Sequence, residues 1–146
     1  MGKIRVCLLA AMAVLAWIGP ARAQKIDRPV DLTDETFITQ VFDYRDKDKM
    51  QYCGELPAVV DFHAVWCGPC RMVTPVMKEL AAKYAGRIKV YKVNIDRAPE
   101  VTRALGVTGV PTVMFIPLKG APTIAVGARA AEFYDTAVRQ ILLGEK

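Results

Sequence analysis

The sequence predicts an α/β protein with a central mixed β-sheet and helices on both of its faces. Apolar runs of strand length alternate with segments of helical spacing, and two late runs are joined by a tight turn. The resulting order is β-α-β-α-β-β-α, with a further strand near Val30, and this layering calls for helices packed over a sheet.

Each element has its own signal. "LTDETFITQVFDY" opens with capping residue types and sets Leu32, Phe37, Val41 and Phe42 on one face, as an amphipathic helix does. A polar stretch runs on to Pro57. "AVVDFHAVW" is a continuous apolar run broken by Asp61 and His63, which reads as a buried strand ending at Trp66. Helical spacing returns over residues 67–84, with a bend at Pro75 and a stop near Gly86. "IKVYKVNI" is the next β-rich run, and a short helix over residues 99–105 ends at Gly106. "TVMFIPL" and "PTIAVGA" flank "KGA" as a hairpin, and residues 130–143 are helical in pattern. There is no internal repeat and no low-complexity linker.

The 146 residues amount to about one domain, preceded by a leader. Lys3 and Arg5 precede an apolar stretch over residues 6–18. Gly19-Pro20 breaks it, and Ala21-Arg22-Ala23 forms an A-x-A cleavage signature. This reads as a secretory signal peptide over residues 1–23, with the domain over 24–146; an uncleaved N-terminal anchor is the competing reading. No cysteine follows the cleavage site, so lipid attachment is not indicated, and Cys7 and Trp17 fall in the discarded segment. Cleavage removes Lys3, Arg5 and Arg22 and no acid from a chain of net charge +5, so most of the basic balance belongs to the leader. The remainder has no nucleic-acid footprint, and "YRDKDK" alternates in sign like a solvated stretch.

Cys53, Cys67 and Cys70 survive cleavage. That is too few for a disulfide-dense scaffold and odd in number, so one thiol stays unpaired or finds another partner. The pair in "FHAVWCGPCRMVTP" is compatible, by itself, with a metal site, a static staple or electron exchange. Zinc asks for four N or S ligands, whereas His63 is the sole histidine and no second pair exists. Placement favours exchange. A strand ending at Trp66 and a helix opening at the pair set Cys67 at a helix N-terminus, where free N–H groups and the helix dipole favour a thiolate. Pro69 suits an early helical position, since its missing N–H costs nothing there. Cys70 lies one turn on along the same face, a separation that lets a disulfide close and reopen without unfolding the chain.

"VDFHAVWCGPCRMVTP", "KVNID" and "GVTGVPTVMFI", in this order and at these separations, resemble the thioredoxin family across essentially the whole of residues 24–146. The resemblance implies a thioredoxin fold and dithiol–disulfide exchange. Cys67 would attack a substrate disulfide and Cys70 would resolve the mixed disulfide, leaving a redox-active Cys67–Cys70 bond. Gly68 and Pro69 between them resemble the family's reducing members. Asp61 matches a buried aspartate that accepts the resolving cysteine's proton, and burial of a carboxylate calls for a raised pKa or a partner. Lys92 matches a lysine near that aspartate, with an ordinary exposed lysine as the alternative. The resemblance implies a cis Val110–Pro111 bond facing the cysteines, with the Val110 backbone free to pair with an extended client segment. Gly127 would line the same groove, unless it is a simple strand bend, and Trp66 would shield the site unless it packs in the core.

Three features depart from the family. His63 stands where an aromatic is usual and Val65 where an acid is usual; an imidazolium near Cys67 and a missing acid would both favour its thiolate and a more oxidising site, while a histidine filling aromatic space is the competing reading. An added stretch between the first helix and "AVVDF" carries Cys53, which reads as a free loop thiol or as a regulatory or intermolecular disulfide partner. The functional expectation is an exported, periplasmic or secreted, monomeric thiol–disulfide oxidoreductase that reduces or exchanges protein disulfides without a metal, nucleotide or flavin. Its electrons would come from an upstream donor such as a membrane thiol carrier. The alternatives are a non-catalytic protein-binding module on the same scaffold, a periplasmic thiol oxidase or isomerase, and a thiol metal chaperone.

Overall fold

In the computed structural model, residues 28–146 are described apart from 47 and 49; the leader assigned to residues 1–23 lies outside them. Val30–Leu32 forms β1, and Thr33 then caps α1 (Asp34–Gln40). The cap is reciprocal: Thr36 N donates to Thr33 Oγ1 at 3.3 Å, and Thr33 N donates to Thr36 Oγ1 at 2.7 Å. Asp34 and Glu35 place negative charge on the first turn, where the helix dipole favours it. Leu32, expected on the helix, is instead the last residue of β1, because Thr33 takes the extended backbone of a cap. It is buried all the same, in one core with Phe37, Val41 and Phe42.

The order continues with β2 (Ala58–His63), α2 (Cys70–Lys83), β3 (Lys89–Asn94), α3 (Pro99–Ala104), β4 (Thr112–Ile116), β5 (Thr123–Val126) and α4 (Ala131–Ala137), which runs on into a π-helical turn over Val138–Leu142. The five strands form one sheet in the order β1-β3-β2-β4-β5. Pairings β1/β3 and β2/β3 are parallel, and β2/β4 and β4/β5 antiparallel, so the sheet is mixed as the sequence indicates. β2 stops at His63 rather than at Trp66 because its neighbours end there. Phe62 pairs with Thr112, beyond which Pro111 has no N–H to offer, and β3 turns at Asn94, whose carbonyl accepts from both Arg97 N and Ala98 N.

Alternation along β2 sorts the two cores. Val59 faces one side, with Val113 and Phe115 of the sheet, Val73, Met77 and Leu80 of α2, and Tyr134 and Val138 at the C-terminus. Val60 and Phe62 face the other, against Phe37 of α1 and Val101 of α3. At ~1.5–3 kcal/mol for each fully buried large apolar side chain, these two layers supply the main drive to fold. Asp34 also binds the two helices of the second layer together: its carboxylate accepts from Val101 N at 2.7 Å and Glu100 N at 3.3 Å, serving free N–H groups at the start of α3. The ends of β2 and β3, the start of α2 and the start of β4 converge at one end of the sheet.

Candidate active site

Cys67 and Cys70 are joined as a disulfide, with 5.3 Å between their Cα atoms. The geometry around them corrects one expectation. α2 begins at Cys70, so Cys67 lies three residues ahead of the helix, in the turn after β2. Gly68 and Pro69 supply a tighter lead-in turn, with Arg71 N donating to Gly68 O and Met72 N to Pro69 O, each at 3.1 Å. Pro69 already has helical backbone angles and needs no donor there. What caps the helix is the Cys67 sulfur: Cys70 N donates to Cys67 Sγ at 3.2 Å. A thiolate on that sulfur would receive the same N–H, so anion stabilisation by the helix start is preserved through the side chain.

The two cysteines are themselves buried, in a small cluster with Ala64, Ile95 and Val110. Around them the surface is open. Val65 and Met72 are exposed, as are Gly68 and Pro69, and Trp66 is 64% exposed. Core packing is therefore not the role of Trp66. Its indole Nε1 donates to Asp96 Oδ2 at 2.8 Å, which holds the ring beside the dithiol. Asp96, in the turn after β3, was not singled out from the sequence.

The Val110–Pro111 bond is cis, as the resemblance implies, and Val110 packs against the cysteine cluster. Gly127, just beyond β5, donates its N–H to Pro111 O at 2.8 Å and has φ +82°, so it is both a bend and a neighbour of the proline. Tyr134 fixes this loop from inside the core, its hydroxyl accepting from Arg129 N at 3.0 Å; nothing local in the sequence marks it.

Asp61 is fully buried on β2, on the α2 side of the sheet, and neither carboxylate oxygen has a hydrogen-bond partner among the described residues. Burial pushes its pKa up to about 6, against the opposing pull of Lys92. Lys92 stands directly across from it in the β2/β3 register, and Asp31 across from Lys92 in β1, so a half-buried lysine links the interior acid to a surface one. His63 lies two residues further on the same face, half-buried, with Nε2 buried and unpartnered among the described residues. Burial, and secondarily Lys92, lower its pKa, and Asp31 only partly offsets them. These shifts favour the neutral ring over the imidazolium. Any charge effect on Cys67 belongs to lower pH.

Cys53 is exposed and free, its Sγ donating to Thr39 O at 3.5 Å near the end of α1, and it is not brought to the cysteine pair. No cluster of three or more potential metal ligands occurs among the described residues, and no helix among them is long and apolar enough to cross a membrane.

Comparison with known proteins gives consistent results. The family model described as Thioredoxin matches residues 30–139. Thioredoxin from Borreliella burgdorferi is 37% identical over 110 residues, a match spanning 75% of this chain and 94% of that protein. Thioredoxin 1 from Nostoc sp. is 42% identical over 97 residues, 66% of this chain and 81% of its own. Among solved structures, a chloroplastic thioredoxin z superposes with a TM-score of 0.65 at 26% identity, covering 78% of this chain and 94% of that one.

Proposed function

The chain belongs to the thioredoxin family of thiol–disulfide oxidoreductases, and we propose on that footing that it is exported and reduces disulfides of client proteins through Cys67 and Cys70. One observation carries the reading: the two sulfurs are within bonding reach, with the first of them accepting a backbone N–H at the helix start and flanked by exposed surface. In the reduced protein, the Cys67 thiolate attacks one sulfur of a client disulfide. The other client sulfur leaves as a thiolate and takes a proton from water, and Cys67 is left in a mixed disulfide. Cys70 then gives its thiol proton to Asp61, whose raised pKa makes it a better acceptor than an ordinary carboxylate. The Cys70 thiolate attacks Cys67 Sγ, the second client sulfur departs, and the Cys67–Cys70 bond closes.

The backbone at Val110, beside the cysteines, offers pairing to an extended client segment, with the Trp66 ring as one wall and Gly127 beside Pro111 as the other. The leader pattern over residues 1–23 supports export to a periplasm or the exterior, and electrons would then come from a membrane thiol carrier facing that compartment. Purified protein lacking residues 1–23 should catalyse insulin reduction by dithiothreitol, and Cys67→Ser should abolish it; full activity in Cys67→Ser would refute the assignment. Cys70→Ser should trap clients as mixed disulfides. Residues 1–23 fused to an alkaline phosphatase that folds only outside the cytoplasm should give an active, processed enzyme; inactive fusion would overturn export.

A further inference from the structure

β2 sets two polar side chains, Asp61 and His63, on its α2-facing side within two residues of each other. Three of their atoms, Asp61 Oδ1, Asp61 Oδ2 and His63 Nε2, are buried with no hydrogen-bond partner among the described residues. Same-face neighbours on a strand are about 6.6 Å apart along the chain, a gap that one water closes when the side chains lean together. Buried polar groups are rarely left unsatisfied, and two carboxylate oxygens with one ring nitrogen provide the two to four partners a buried water needs. His63 as a whole is only half-buried, so its ring reaches from this interior site toward solvent.

We propose that Asp61 and His63 hold one proton between them and that His63 carries it from Asp61 to solvent during the resolving step. The proposal rests on the catalytic reading of the cysteine pair given above. The proton leaves Cys70 Sγ for an Asp61 oxygen, passes through one water to His63 Nε2, and is discharged from the ring to solvent. No bond other than these proton bonds changes, and the electrons move only in the disulfide exchange.

The electrostatics agree with this. Burial raises the Asp61 pKa to about 6 and lowers that of His63, and both shifts act to narrow the ordinary gap between a carboxyl and an imidazole. The charged and titratable groups that act on them are Lys92 on β3, which lowers both, and Asp31 on β1, which raises His63, while Tyr134 on α4 feels the Asp61 charge.

Reaction of Ellman's disulfide with the reduced protein lacking residues 1–23 and carrying Cys53→Ser, whose thiols are then Cys67 and Cys70, separates the steps. The first release of thionitrobenzoate reports Cys67 attack and depends on reagent concentration; the second reports resolution by Cys70 and does not. His63→Phe and His63→Gln should each slow the second release on the order of tenfold at pH 7 and remove one ionisation from its pH profile, with the first release unchanged. In an Asp61→Asn background, His63→Phe should add no further slowing, as members of one relay are not additive. An unchanged second phase in both His63 variants, or equal slowing of both phases, would overturn the relay while leaving the catalytic reading intact. No second phase in the Cys53→Ser protein with His63 and Asp61 intact would overturn both.

Discussion

Trp66 is tied to Asp96, thirty residues away, by a 2.8 Å hydrogen bond from indole Nε1 to Oδ2. With the ring 64% exposed, burial contributes little to its position, and this charge-assisted bond is what orders it. Asp96→Ala should leave stability within about 1 kcal/mol, since the bond is exposed. It should raise KM for a protein disulfide about three- to tenfold with kcat unchanged, because an untethered ring costs ordering entropy on client binding. Once residues 1–23 are removed, Trp66 is the sole tryptophan, so its fluorescence anisotropy reads the tether directly and should fall in the variant. Unchanged anisotropy would rule the tether out.

Gly127 tests the backbone beside Pro111. Its φ of +82° disfavours any residue with a Cβ, while an added Cβ would meet nothing within 4 Å. The cost of Gly127→Ala is therefore conformational rather than steric, about 1–2 kcal/mol. Denaturant unfolding should show that loss. Client KM should rise as well, since the new methyl would occupy open space next to the cis proline; an unchanged KM would separate Gly127 from the client surface.

The layers and their order were legible because each strand and helix carries its own periodicity. Ends were not. β2 stops at His63, and not at Trp66, because Pro111 and the Asn94 turn withdraw its partners, and those belong to distant segments. The start of α2 moved from Cys67 to Cys70 because Gly68 and Pro69 form a separate tight turn before it. The cysteine pair, Asp61 and cis Pro111 were reachable through the family resemblance. Asp96 and Tyr134 were not, since each acts on a residue that no local pattern links to it. Strand parity correctly put His63 with Asp61, but its protonation depends on burial, which parity does not give.

Cys53 is exposed and, among the described residues, is the one free thiol. Its contact with Thr39 O is long and at the surface, so it offers little protection. Oxidised protein lacking residues 1–23 should react with one equivalent of Ellman's reagent under native conditions, and Cys53→Ser with none. Disulfide reduction should be retained within about twofold in that variant. A larger loss would place Cys53 in the catalytic cycle.

Asp61 makes the stability of the fold depend on pH with a definite sign. Its pKa rises from the ordinary 3.8 to about 6 on folding, because burial disfavours the charged form. Between these values the folded state holds the proton more tightly than the unfolded state, so stability falls as pH rises through the interval. By the time both states are ionised, above about pH 7, the full penalty is present, ~3 kcal/mol for a difference of this size. Asp61→Asn removes the titration and leaves a neutral amide of similar shape. The difference in unfolding free energy between Asp61→Asn and wild type should therefore move in favour of the variant by ~2.4 kcal/mol from pH 4, where the unfolded carboxyl is already partly ionised, to pH 7, whatever its starting value. Urea unfolding of the oxidised proteins across that range measures it. A flat difference would mean that the Asp61 carboxyl titrates in the fold as it does in water, and its part as proton acceptor for Cys70 would lose its physical basis.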